Sequence, residues 1–195
     1  VIDKRIYMIE FPNKKYNIIY ADPPWQFKSR IHQENRGFTH SLEKHYDTMT
    51  EQDICNLPVE NITASDCILF MWVTDSHLQE GLNVIKSWGF NYKTIGFTWV
   101  KHYASGFTCY NFSPYLLKST EICLIGMKGK LANIKARDDI KGLVADIRDK
   151  HSKKPEEVRR RIVLMCKDLP KIELFARHKT EGWDVWGNEV NNENL

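Results

Sequence analysis

Asn17-Ile18-Ile19-Tyr20-Ala21-Asp22-Pro23-Pro24-Trp25 is the stretch that decides the architecture. Its opening residues, with Tyr16 before them, are apolar or β-prone and read as a buried strand over Tyr16–Ala21. Two consecutive prolines then remove two backbone donors and fix φ, so the chain must leave the sheet directly after the acid. An acid at the carboxyl end of a buried parallel strand stands on the edge where open α/β sheets place their ligands. Asp22 and the prolyl carbonyls are acceptors with no N–H at either proline, which suits a planar group carrying two N–H donors, such as the exocyclic amine of a base. Trp25 beside them offers a flat surface for stacking. Accepting both amino hydrogens draws the nitrogen lone pair out of ring conjugation and makes it nucleophilic. The competing reading is a strand that ends in a rigid Pro-Pro turn over a core tryptophan.

Working outward, strand-like apolar runs alternate with helical patterns, which predicts an α/β domain with a mostly parallel sheet. Ile6–Phe11 reads as a short first strand. Residues 26–45 lack periodicity and carry Lys28, Arg30, Arg36 and Lys44 against Glu34 and Glu43. A loop of this length directly after the acid reads as a substrate-contacting segment, although each single cation reads as solvated. Thr50-x-x-Asp53 has the form of a capping box opening a short helix. Cys67–Val73 reads as a fully buried strand, followed by a helix capped by Asp75, with Leu78, Leu82, Ile85 and Trp88 on one face and Gly89 as the stop.

Thr94–Val100 is a further predicted strand ending at Lys101, a lysine on the ligand edge or simply a solvated one. Residues 102–118 form a second long loop rich in aromatics, suited to unstacked bases or to a hydrophobic lid. Glu121–Met127 reads as a buried strand closed by a turn at Lys128-Gly129. The spacing of Ile140, Leu143 and Ile147 suggests a helix within the charge-rich stretch 130–150. A helix opens near Pro155 with a buried stripe of Val158, Ile162 and Met165, and Lys171–Arg177 reads as another strand.

The 195 residues are most economically one domain, spanning 1–195, with 42% hydrophobic and 27% charged residues. A net charge of +3 neither requires nor excludes nucleic acid. Five cysteines without C-x-x-C spacing argue against zinc and against a disulfide framework, and fit a reducing compartment. With no apolar run of membrane-spanning length and no signal-peptide pattern, the expectation is a soluble, intracellular, cytoplasmic domain.

Asp22-Pro23-Pro24-Trp25 resembles the DPPW signature of the adenine-N6 methyltransferases, a family that includes the catalytic subunit of the eukaryotic mRNA adenosine methyltransferase and many bacterial and phage DNA adenine methyltransferases. The resemblance runs from about Tyr16 to about Glu189. It implies a Rossmann-like fold in permuted order, the catalytic motif preceding the cofactor motif, with S-adenosylmethionine as cofactor and no metal. No G-x-G-x-x-G loop occurs. By the resemblance, Asp22, Pro23, Pro24 and Trp25 are catalytic, and Tyr46 and Lys101 orient the target base. Ser152 and Lys154 would meet the methionine end of the cofactor, Arg177 with His178 its ribose, and Asn188 with Glu189 its adenine, and Asp22 would contact the cofactor as well. In the family's eukaryotic members a glutamine stands where this chain has Glu189. Asp3 is a further candidate for the cofactor adenine. The compact chain favours the bacterial or phage branch and DNA over RNA, in cytoplasm. The look of a bare catalytic core implies a homodimer or a heterodimer with a related subunit. A non-catalytic nucleic-acid-binding subunit of the same fold is the alternative from another class.

Overall fold

Residues 10–26, 48–113, 115–148 and 153–190 are described by the computed structural model. In chain order their elements are β1 (Tyr16–Ala21), α1 (Glu51–Cys55), β2 (Thr63–Val73), α2 (Leu78–Ser87), β3 (Asn91–His102), β4 (Thr120–Lys128), β5 (Leu143–Ile147), α3 (Glu156–Met165), β6 (Lys171–Leu174) and β7 (Asp184–Trp186). The strands form one α/β sheet in the order β5-β3-β4-β2-β1-β6-β7. Only β4, among the described strands, runs against the rest, so the sheet is mostly parallel. The fold is the Rossmann-like arrangement expected from the sequence. The described helices include none long and apolar enough to cross a membrane.

β1 lies inside the sheet, parallel to β2 on one side (Ile18 beside Ile68) and to β6 on the other (Ile18 beside Lys171). A strand covered on both faces cannot alternate apolar with polar, which is why it reads as a continuous apolar run. Ile19, Ala21, Leu69 and Met71 pack on one face with Ile54 of α1 and Val84 and Ile85 of α2. Ile18, Tyr20, Phe70 and Trp72 pack on the other with Val158 and Ile162 of α3.

Several local expectations shift. Asp75 opens a short 3₁₀ turn, Asp75–His77, rather than capping α2. The buried face of α2 is Gly81, Val84 and Ile85, while Leu78 is exposed. Among the described residues of the stretch 130–150, which run to 148, the anticipated helix does not form: a 3₁₀ turn at Leu131–Asn133 is followed by β5. Leu143 and Ile147 share the outer face of that strand, and Val144 is the residue it buries. Their spacing satisfies a period of two as well as a helical one, and parallel pairing with β3 selects the strand. β6 stops at Leu174 because Phe175 takes a left-handed φ of 62°. Ile6–Ile9 of the predicted first strand, Asp3, Tyr46, Ser152 and nearly all of the 26–45 loop lie outside the described residues, and Glu10 and Phe11 are not part of a strand.

Candidate active site

The carboxyl ends of the parallel strands and the amino end of β4 form one edge of the sheet, and the candidate residues gather there. Asp22 directly follows β1. The turn after it is tied down by backbone: the Trp25 N–H donates to the Pro23 carbonyl (2.9 Å), the Met49 N–H to the Pro24 carbonyl (2.8 Å), and the Gln26 N–H to Met49 (3.2 Å). The Pro23 carbonyl keeps a second lone pair beyond that bond. The Trp25 indole N–H donates to the Trp72 carbonyl at 3.1 Å, and its ring stacks on His77 at 5.7 Å between centroids. With 6% of its surface exposed, Trp25 pins the turn from beneath, in place of the open stacking face that the sequence suggests.

Next to Asp22 runs a chain of alternating charges. Lys154, two residues before α3, donates to Asp22 Oδ2 at 2.8 Å and reaches Glu121 Oε2 at 3.3 Å. Glu121 Oε1 in turn accepts from Lys101 at the end of β3. Side-chain exposure is 26% for Asp22 and about a tenth for the other three. Two acids and two bases cancel, which is the condition for holding so many charges in a dry place. Trp72 and Trp99 form the floor: the Lys154 ammonium lies 5.7 Å from the Trp72 ring centroid, and that of Lys101 lies 5.0 Å from Trp99.

Burial pushes the Asp22 carboxyl up, and Lys154 only partly offsets it, so it stays above its ordinary value. Burial acts the same way on Glu121, but there the Lys154 and Lys101 ammoniums win and hold it below the usual range. Burial alone would push Lys154 down, yet Asp22 and Glu121 keep it above the ordinary lysine value. The arrangement is thus a fixed ammonium flanked by two carboxylates, one of which, Asp22, directly precedes Pro23 and its carbonyl acceptor.

A second group lies farther along the same edge, after β6 and β7. Arg177 Nε stands 3.8 Å from Glu189 Oε1, and the Arg177 charge also bears on Asp22. Asn188 is half-buried and His178 exposed. Gly187 has backbone reasons for its identity: a Cβ there would lie 2.3 Å from the Ala176 carbonyl oxygen. The Ala176 N–H donates to the Trp186 carbonyl at 3.0 Å, so the two strand ends stay close. Donors (Arg177, Asn188) and acceptors (Asn188, Glu189) converge at strand ends, a donor set that fits ribose hydroxyls and an adenine edge.

Sequence reading missed Glu121. The signal is present, however: an acid leading a strand otherwise read as wholly buried requires a partner. At the opposite edge of the sheet an open cleft lies among Lys14, Tyr16, Trp183 and Asp184, with Asp184 already engaged by Lys14 and Tyr16.

The MT-A70 family profile matches residues 16–189. Over 93% of its length the chain is 39% identical to the type II methyltransferase M.MunI of Mycoplasma sp, covering 80% of that protein. It is 29% identical to the human N(6)-adenosine-methyltransferase catalytic subunit METTL3 over 90% of this chain and 28% of METTL3. Identity to the human N(6)-adenine-specific methyltransferase METTL4 is 29%, over 91% of this chain and 38% of METTL4.

Proposed function

The chain belongs to the MT-A70 family and is a methyltransferase, and from that premise we propose that it methylates the exocyclic N6 amine of adenine in DNA, using S-adenosylmethionine. The observation that carries this reading is Asp22 at the end of an interior strand, fixed by Lys154 at 2.8 Å and adjacent to a Pro23 carbonyl with acceptor capacity to spare. Asp22 and the Pro23 carbonyl accept the two amine hydrogens, which localises the nitrogen lone pair for attack. Pro24 and Trp25 keep those acceptors in place, since the turn has no freedom to rotate them away. When bound, S-adenosylmethionine supplies a methyl on a sulfonium, whose C–S electron pair stays on sulfur as the N–C bond forms. The amine gives up one proton, and Asp22, its pKa already raised, is the nearest base. Holding the reactants in line supplies most of the acceleration, so no metal is needed.

Lys154, with Ser152, serves the methionine end of the cofactor, Arg177 and His178 its ribose, and Asn188 and Glu189 its adenine. Tyr46 orients the target base. Lys101 acts through Glu121 as a positioning residue. A dimer, homo- or heteromeric, belongs to the same proposal. The edge strand β5 leaves Leu143 (63% exposed) and Ile147 (53%) uncovered. A strictly monomeric protein with full, sequence-specific activity in light scattering and turnover assays would remove that part. The setting is the cytoplasm of a bacterial or phage-infected cell.

The test is transfer of labelled methyl to single- and double-stranded DNA and RNA in parallel, for wild type and Asp22→Ala, with the product nucleoside identified by mass. Methyl-adenine in DNA, abolished in the variant, is expected. Label confined to RNA would move the substrate and keep the chemistry, in line with the N(6)-adenosine activity named for METTL3. No label in any lane and no S-adenosylmethionine binding in calorimetry would overturn the reading in favour of a non-catalytic subunit.

A further inference from the structure

Between the strand ends that supply Lys101 and Glu121, the chain makes a folded arm. His102 pairs with Thr108 and Asn111 with Lys118 in antiparallel bridges. The Cys109 N–H donates to the Lys101 carbonyl at 2.7 Å, and Asn111 and Lys118 exchange backbone bonds at 2.7 and 2.9 Å. Two side-chain struts brace it. Arg148, just beyond β5, donates to Asn111 Oδ1 at 3.1 Å, and Asp75, beyond β2, meets Lys118 at 3.3 Å. The arm is therefore a braced element, yet Phe112 is 96% exposed and Tyr115 94%. Phe107 and Tyr110 are exposed beside them. Aromatic surface concentrated in this way marks an interaction site.

Two observations identify the occupant. Residues 101–120 contain no Asp or Glu, and Arg148, whose guanidinium reaches Asn111 Oδ1 and Cys109 Sγ, adds a cation to the arm, so the arm suits a polyanion. Its roots are two members of the charged chain that ends at Asp22, which sets it beside the candidate methyl-transfer site.

We propose that the arm is a base-stacking platform for the strand that carries the target adenine, with Phe112 and Tyr115 covering neighbouring bases. This rests on the reading of adenine in nucleic acid as substrate. Taking a base out of a stack leaves its neighbours with faces open to water. An aromatic ring on the braced arm covers such a face, whatever the base.

The test uses the full chain and oligonucleotides carrying 2-aminopurine, whose fluorescence is quenched by stacking, with affinity read by anisotropy. The Phe112→Ala/Tyr115→Ala double variant is expected to bind roughly ten- to a hundredfold more weakly, with altered 2-aminopurine emission. Its S-adenosylmethionine affinity and oligomeric state should match wild type. The Phe112→Tyr/Tyr115→Phe variant, which keeps both rings, should restore binding. Unchanged affinity and emission in the alanine variant would overturn the platform. So would a wild-type dimer that dissociates in the variant while each chain keeps its affinity for DNA, since the rings would then serve a protein interface. Binding is read without catalysis. Arm-dependent binding with no methyl transfer would therefore overturn the proposed function alone, and adenine methylation with arm-independent binding would overturn the platform alone.

Discussion

Asp22 ionises against its surroundings, because burial favours its neutral form and the Lys154 ammonium opposes burial incompletely. If the ionised carboxylate is the acceptor for the amine, the acid limb of kcat/KM lies above the ordinary aspartate value of 3.8. Lys154→Met removes the opposing cation, so that limb should move to still higher pH, in a pH–rate profile taken under saturating cofactor. A limb that stays in place would separate Asp22 ionisation from the rate. Glu121 has the opposite sign. Its folded pKa is held down, so it contributes stability above the ordinary carboxylate range and loses it as pH falls through the folded value. Glu121→Gln leaves Lys101 buried beside a neutral amide, a loss of about 3–5 kcal/mol near neutrality. The difference from wild type should shrink as the pH falls and wild-type Glu121 takes up its proton. Urea titrations across a pH series would read it, and a difference independent of pH would exclude the ion-pair account.

At the scale of elements, two glycines make opposite use of local preference. In the middle of α2, helix propensity alone favours Gly81→Ala by about 1 kcal/mol. A Cβ at that position would lie 2.4 Å from Val73 Cγ1, on a β-branched side chain in the buried end of β2. The substitution is therefore expected to destabilise by ~1–3 kcal/mol, seen as a lower urea midpoint; a raised midpoint would mean that the helix simply slides outward. Gly187→Ala meets backbone instead, the Ala176 carbonyl at 2.3 Å. Backbone cannot rotate aside, so the ends of β6 and β7 must part, and Arg177 separates from Asn188 and Glu189. Weaker S-adenosylmethionine binding with a smaller change in thermal stability is the expected calorimetric result.

For the whole molecule, the order of the strands turns distance along the chain into proximity. Asp22 and Lys154 are separated by 132 positions and meet at 2.8 Å. β1, which carries the Asp22 turn, has β6 as its neighbour on one side. A chain ending at Cys166 would lose β6 and β7, expose one side of β1, and lose Arg177 and Asn188 with them. It is expected to show no cooperative unfolding transition by circular dichroism or tryptophan fluorescence, so a sharp transition would reveal an independently stable amino-terminal part.

The sequence by itself determined β1 to its end residues, the buried runs of β2 and β4, the capping box at Thr50 and the turn at Asp22, because each is written in neighbouring side chains and in what proline and glycine permit. It also named Asp22, Lys101 and Lys154 as separate candidates. Only tertiary structure decided that Glu121 links Lys154 to Lys101, that Trp25 faces His77 from a buried position, and that β5 is a strand. Hydrophobic periodicity reports the face an element buries. Which charges meet depends on which strand ends lie side by side, and no local pattern encodes that.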